Sequence, residues 1–364
     1  MANPHWRAVD ETAIVEPRIL VIRRDNIGDL VCTTPLISAL RTKFPRAWIG
    51  VLANSYNAPI LEGNPDVNEV FAYRKAKHGE ISRIGVIAER IRIATNLRRQ
   101  HIDYILIATP TFQRRVIRFA RWCGAKAIAG FAGERDPRGR LDIVVPIARS
   151  EISEVEDVFR IGAPLGVEGP PPPLKVVPNP EEVARAMTAV AATRRESGVL
   201  IGVHVSARKP SQRWLEERYV AAMQALAQRH QASFVLLWAP GAEDNPTHPG
   251  DDGKARRLLE AVRDLNVVAW PSETLRQLVG GIAACDFMLM SDGGAMHIAA
   301  ALGKPIVCMF GKSDAMRWRP WGTAHELLQA PSQVVGDIAI EEVVAAFDRM
   351  MAAPMRARGE MEHF

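Results

Sequence analysis

Between residues 291 and 294 the chain places a serine, an aspartate and two glycines in a row: Ser291, Asp292, Gly293 and Gly294. An apolar run of strand length, 287–290, precedes them, and 295–302, rich in helix formers, follows. A strand, a glycine turn and a helix opening present backbone N–H groups to an anion, backed by the partial positive charge of the helix start. The two glycines let a diphosphate come close to the backbone, so a nucleotide-linked substrate is the natural guest. A plain βαβ connection whose glycines only shape the turn fits the same residues. His297, one turn into the helix, is also open to two readings: a neutral packed ring or a contact to the diphosphate. Gly303 then ends the helix as a terminal glycine would, and 305–310 reads as a second buried strand.

Other residues carry chemistry at similar places. Asp29 follows a glycine just beyond the strand at 18–23, at the edge where open α/β sheets bind ligands. A carboxylate there can deprotonate a hydroxyl as general base, and it can equally cap a helix. The loop 204–214 (HVSARKPSQRW) leaves a strand with small polar and basic residues that suit phosphate oxygens or simply meet solvent. Residues 236–243 are a strand running into a glycine turn with an acid, Glu243, placed to bind ribose hydroxyls or to cap a helix. Trp318 and Trp321 read as packing beside a cleft. Missing patterns narrow the class. Without GxGxxG a dinucleotide dehydrogenase loses its best support, and without GxxxxGK[ST] the chain is no P-loop NTPase. With no DxD pair, a metal-held diphosphate is not expected, and leaving-group charge falls to backbone N–H groups and side chains.

Elements that could position these residues alternate along the chain. After the strand at 18–23, a helix runs on to Phe44, with Thr34 before Pro35 as a candidate cap. Strand-like 48–52, 67–71, 103–108 and 127–130 follow, separated by helical segments. One of these, 81–99, steps Ile81, Ile84, Ile87, Ile91, Ala94 and Leu97 by threes and fours, which predicts an amphipathic helix burying that face. Its arginines face solvent or, in a second reading, anionic lipid headgroups. Residues 169–180 (GPPPPLKVVPNP) hold six prolines in twelve and make a stiff connector. Strands at 199–205, 233–238, 267–270, 287–290 and 305–310 then alternate with helices, and 340–351 is a final amphipathic helix. Such alternation predicts parallel sheets with right-handed crossovers, hence an α/β chain of two Rossmann-like domains with a cleft between them. The expected boundaries are 1–168, linker 169–180, 181–335, and a last segment 336–364.

Bulk properties agree with a two-domain globular protein: 364 residues, 48% hydrophobic and 24% charged. Four cysteines lie far apart with no CxxC spacing, which points to reduced thiols in the cytoplasm and against a zinc site. Neither a signal peptide nor a membrane span is expected. Charge is uneven. Residues 1–168 carry 25 Lys and Arg against 19 Asp and Glu, whereas the remainder carries 21 against 22. A basic first half suits an acidic acceptor, an anionic membrane surface or nucleic acid, or reflects arginine-rich composition alone.

Two stretches carry a family resemblance. SDGGAMHIAAALGKPIVCMFG with KSDAMRWRPWG, and RRDNIGDLVCTTPLISALRTKFP near the start, resemble the motifs of glycosyltransferase family 9, the lipopolysaccharide heptosyltransferases. The resemblance implies the GT-B fold, with an acceptor-binding first domain, a donor-binding second domain, and a last helix returning towards the first. It implies an inverting, metal-independent transfer of heptose from ADP-heptose to an anionic lipopolysaccharide core, in the cytoplasm or peripherally on the inner membrane, with no cofactor and no nucleic acid. Asp29 takes the place of the catalytic base, with Arg24 and Thr33 as acceptor-binding candidates. Ser206 supplies a hydroxyl to the donor and Glu243 contacts the nucleoside. Asp292 lies at the sugar side, and Gly293 and Gly294 form the diphosphate turn, with His297 beside it. One position departs: Gln212 stands where the family has a lysine, leaving Lys209, Arg208 or Arg213 to carry the charge. A GT-B transferase for another nucleotide sugar, and a silent nucleotide- or glycan-binding protein, remain alternatives.

Overall fold

Short, almost uninterrupted apolar runs suit strands covered on both faces, and here they build two sheets in which every pairing is parallel. The computed structural model describes residues 16–73, 83–133, 139–148, 152–195, 198–245 and 250–352. Ile81 and the side chain of Ile84, both expected on the buried face of one helix, lie outside these. The described chain divides into two units with the break between Lys175 and Val176.

In the first unit, β1 (Arg18–Ile22), β2 (Trp48–Asn54), β3 (Glu69–Tyr73), β4 (Tyr104–Ile107), β5 (Ala127–Ala132) and β6 (Ile143–Pro146) are ordered β3-β2-β1-β4-β5-β6. Helices α1 (Ile27–Val31) and α2 (Thr34–Lys43) follow β1, α3 (Arg83–Arg99) follows β3, α4 (Arg114–Cys123) follows β4, and α5 (Glu154–Phe159) follows β6. The core on one face joins Leu20, Ile22, Ile105 and Ile107 to Ile93 and Leu97 of α3 and to Val116, Ile117 and Ala120 of α4. Each of these Leu, Ile and Val side chains contributes roughly 1.5–3 kcal/mol on burial.

The second unit holds α6 (Pro180–Ala191), β7 (Leu200–His204), α7 (Glu216–His230), β8 (Ser233–Trp238), α8 (Asp252–Ala261), β9 (Val267–Pro271) and α9 (Leu275–Ala284). It continues with β10 (Phe287–Ser291), α10 (Gly294–Ala301), β11 (Ile306–Phe310), α11 (Ala315–Trp318), β12 (His325–Gln329) and α12 (Ile340–Ala352). Its sheet order, β12-β11-β10-β7-β8-β9, is the first order read in reverse. Both are the doubly wound Rossmann arrangement. Val343, Ala346, Phe347 and Met350 of α12 are buried in this unit's own core with Phe287, Leu289 and Val307. Among the described residues no helix is long and apolar enough to cross a membrane.

Several local expectations need correction. Ile87 and Ile91 of α3 are 55% and 53% exposed, while Ile93, Ala94 and Leu97 face the core. A side chain two positions from an expected core residue won because the sheet beneath decides which flank of a broad apolar sector is covered. Thr34 does not cap: α2 begins there, and its hydroxyl donates to the Val31 carbonyl at 2.7 Å. Strands β6 and β12 and helix α5 were not anticipated. Gly303 behaves as expected, with φ +66° just past α10.

Candidate functional site

In a doubly wound sheet the ligand crevice opens where the strand order reverses, outside the carboxyl ends of the two central strands. In the first unit these are β1 and β4, with Ile22 opposite Ile107. Leaving β1, Arg23 is almost fully enclosed, 2% exposed. Its Nη2 donates to Asp29 Oδ1 and to Glu154 Oε1, both at 2.7 Å. Its Nη1 donates to the Ala108 carbonyl at the end of β4, and its Nε lies 3.2 Å from Asp25 Oδ2. One guanidinium thus ties the two central strand ends to α1 and α5. Burial alone would lower its pKa, but the charges of Glu154, Asp29 and Asp25 outweigh burial and raise it.

Asp29 is the third residue of α1 and closes a capping box. Its Oδ2 accepts from the Asn26 backbone N–H at 2.8 Å and from Asn26 Nδ2 at 2.9 Å. Both sequence readings of Asp29 therefore coexist in one side chain: Oδ2 serves the cap, while Oδ1 faces Arg23. Burial pushes its pKa up, and Arg23 with the Asn26 donors brings it below the ordinary carboxylate value. It is ionised at neutral pH. The loop carrying it is fixed from the side by two buried asparagines: Asn54 Nδ2 donates to the carbonyls of Arg24 and Asp25 at 2.9 Å, and Asn57 Nδ2 to Asn26 at 3.2 Å. Thr109 Oγ1, after β4, donates to Asp25 Oδ2 at 3.1 Å. Half-buried Arg24 lays its guanidinium over the Tyr73 ring, 5.3 Å from the centroid. Thr33 is wholly buried, its hydroxyl donating to the Asp29 carbonyl at 2.8 Å.

In the second unit the central strands are β7 and β10, with His204 opposite Met290. Gln212, 7% exposed, reaches from the loop after β7 to the loops after β10 and β11, where its Nε2 donates to Asp292 Oδ2 at 2.7 Å and to Ser313 Oγ at 3.3 Å respectively. Gly294 opens α10, and a Cβ added to Gly293 would meet open space. The start of α10 is thus left clear at the reversal point, as an anion site requires. His297 is 2% exposed and meets Trp318 edge-on at 6.0 Å.

Other predicted donor residues lie on the loops after β7 and β8. Ser206 Oγ accepts from the Ala239 N–H at 2.8 Å, joining the β7 and β8 loops. Lys209 is exposed in its loop. Glu243 pairs with Arg257 at 2.9 Å, and Arg257 also holds Glu216 at 2.7 Å. The acid that shapes the turn after β8 is Asp252, which accepts from Trp238 Nε1 at 2.8 Å and from the Gly241 N–H at 2.9 Å. Lys254 lies beneath the β7 loop, its Nζ donating to the Val205 carbonyl at 2.9 Å over the Tyr219 ring. Burial lowers the pKa of Lys254. His204 beside it is pushed down to about 4 by burial and by the Lys254 charge.

Arg23, Glu154, Asn54, Asn57, Asp252 and Lys254 were not singled out in the sequence. An arginine directly ending an apolar strand, and an asparagine pair (Asn54, Asn57) after another, were the available signals.

Comparison with known proteins gives the family and the fold. Residues 90–339 match the family model glycosyltransferase family 9 (heptosyltransferase). The chain is 26% identical over 309 residues to lipopolysaccharide heptosyltransferase 2 of Escherichia coli K12, covering 82% of this chain and 83% of that protein. It is 25% identical over 349 residues to an Escherichia coli lipopolysaccharide heptosyltransferase 3, covering 89% and 96%. The Escherichia coli heptosyltransferase WaaC with ADP superposes with a TM-score of 0.74 at 18% identity, covering 91% of this chain and 99% of that one. That likeness shows a shared fold, the GT-B pair of Rossmann-like domains.

Proposed function

We propose a heptosyl transfer for this chain, which belongs to glycosyltransferase family 9 and is a glycosyltransferase. Heptose moves from ADP-heptose to a lipopolysaccharide-core acceptor, with inversion and without metal, on the cytoplasmic side of the membrane. The relatives' names, lipopolysaccharide heptosyltransferases 2 and 3, support the substrate class. Asp29 carries the reading. It is a carboxylate kept ionised at the reversal point of the first sheet, with Oδ2 occupied by Asn26 and Oδ1 accepting one hydrogen bond. Oδ1 therefore keeps a lone pair for a proton. The acceptor hydroxyl gives its proton to Asp29 as its oxygen bonds to the anomeric carbon, and the bond from that carbon to the diphosphate breaks with its electrons on ADP. The α10 start at Gly293 and Gly294, with Ser206 and the basic residues of the β7 loop, stabilises the departing charge.

Asp29→Asn tests this. It should abolish ADP release in the presence of acceptor, by about 10²–10⁴-fold for a lost general base, while ADP binding is unchanged. Wild-type turnover by that variant would overturn the assignment. The same assay run with a chelator should keep full turnover, and loss of it would refute metal independence. The Gln212–Asp292 hydrogen bond favours a second reading, because it puts a neutral amide and an acid where a diphosphate would meet a cation. A donor panel separates the two: faster transfer from a UDP- or GDP-sugar would select the second.

A further inference from the structure

The helix α4 (Arg114–Cys123) has an outer face unlike any needed to cover the sheet. Val116, Ile117, Ala120 and Cys123 face the core. The opposite side carries Arg114, Arg115, Arg118 and Arg121 and, at its C-terminal end, Trp122, which is 54% exposed, and the helix contains no acid. Among the described residues Arg121 alone of the four meets a carboxylate, Asp142 at 3.0 Å. The neighbouring α3 extends this surface. Its exposed Ile87 and Ile91 share one side with Arg98, at steps of four and seven, and Arg98 Nη1 reaches the Trp122 carbonyl at 3.4 Å. Together the two helices hold nine arginines and one glutamate.

We infer that this α3–α4 face docks the protein on an anionic phospholipid bilayer. Three features belong together at a bilayer interface and are hard to reconcile with bulk solvent. An exposed indole at the C-terminal end of the basic face sits well at headgroup depth, where its ring is half in hydrocarbon and half wet. The two exposed isoleucines of α3 gain by leaving water. The arginines gain from the negative surface potential of anionic lipids, about 1 kcal/mol per residue. The face also begins where the chemistry is. Ala108, whose carbonyl binds Arg23, and Thr109, which binds Asp25, sit in the loop that leads directly into α4. A protein resting on this face would hold the loop edge carrying Asp29 beside the surface from which a lipid-borne acceptor projects. This inference deepens the transferase reading but is tested without it, through lipid binding alone.

The full-length protein would be sedimented with vesicles of phosphatidylcholine alone and of phosphatidylcholine mixed with phosphatidylglycerol, at low and high salt. Wild type should bind the anionic vesicles, release in high salt, and ignore the neutral ones. Arg114→Gln/Arg115→Gln/Arg118→Gln should lower the partition coefficient by on the order of 100-fold, about fivefold per charge. Trp122→Ala should lower it by roughly 10-fold. Both variants should melt like wild type and bind ADP unchanged. Equal binding of neutral and anionic vesicles, no binding by wild type, or undiminished binding by the triple variant would each overturn the inference. So would tighter binding to a soluble polyanion such as RNA than to the anionic vesicles. Absence of sugar transfer would leave the vesicle result intact and count only against the transferase reading.

Discussion

Arg23 holds three carboxylates, Asp25, Asp29 and Glu154, with a single buried charge, and removing that charge has consequences that differ with pH. Arg23→Met keeps the apolar stem but strands the carboxylates. Breaking a buried pair from one side costs about 3–5 kcal/mol, a large share of the 5–15 kcal/mol of a typical domain. Arg23→Lys keeps the charge but not the fork that serves Asp29, Glu154 and the Ala108 carbonyl at once. Losing one charged hydrogen bond should cost about 2 kcal/mol. The sign of the pH effect follows from Asp29, whose folded pKa lies below its ordinary value. The stability it contributes is present above the unfolded carboxylate pKa, about 3.9, and is lost as pH falls through the folded value. The deficit of Arg23→Met should therefore be greatest near neutrality and shrink in acid, where protonated carboxylates no longer need a cation. Urea unfolding from neutral pH down to about pH 3 measures it. In Arg23→Lys, the acid limb of kcat/KM should move up, because weaker pairing with the cation lets Asp29 take a proton at higher pH. A pH-independent deficit, or an Arg23→Met protein as stable as wild type, would refute this account.

Three other expectations are independent of it. Gly250→Ala would place a Cβ 2.3 Å from the Gly241 Cα, backbone against backbone where Gly241 already has φ +131°, so a loss of about 1–3 kcal/mol and several degrees of Tm is expected by thermal melting. Gln212→Lys adds a cation beside Asp292, and calorimetry should find ADP bound roughly 5- to 10-fold more tightly, less so in high salt. His204, held neutral with a pKa of about 4 against an ordinary 6.5, contributes stability that is complete above pH 6.5 and is lost as pH falls to 4; His204→Asn should flatten the stability curve across that window.

What the sequence determined by itself was local. Period and propensity placed ten of the strands, because a buried parallel strand must be an almost unbroken apolar run. Turn chemistry placed the glycine turn at 293–294 and the helix stop at Gly303, since those depend on a residue and its immediate neighbours. Motif resemblance supplied Asp29 and Asp292 as candidates. Tertiary structure decided what those residues touch. Glu154 lies 131 positions beyond Arg23, and Gln212 lies 80 before Asp292, so no window of sequence could pair them. It also decided which flank of α3 is covered. Ile87 and Ile91 fit the helical period as well as Ile93 and Leu97 do, and only the strands beneath chose between them. Periodicity is a property of the chain, whereas contact across a sheet depends on strand order, and the two strands that frame each site are neighbours only because the order reverses between them.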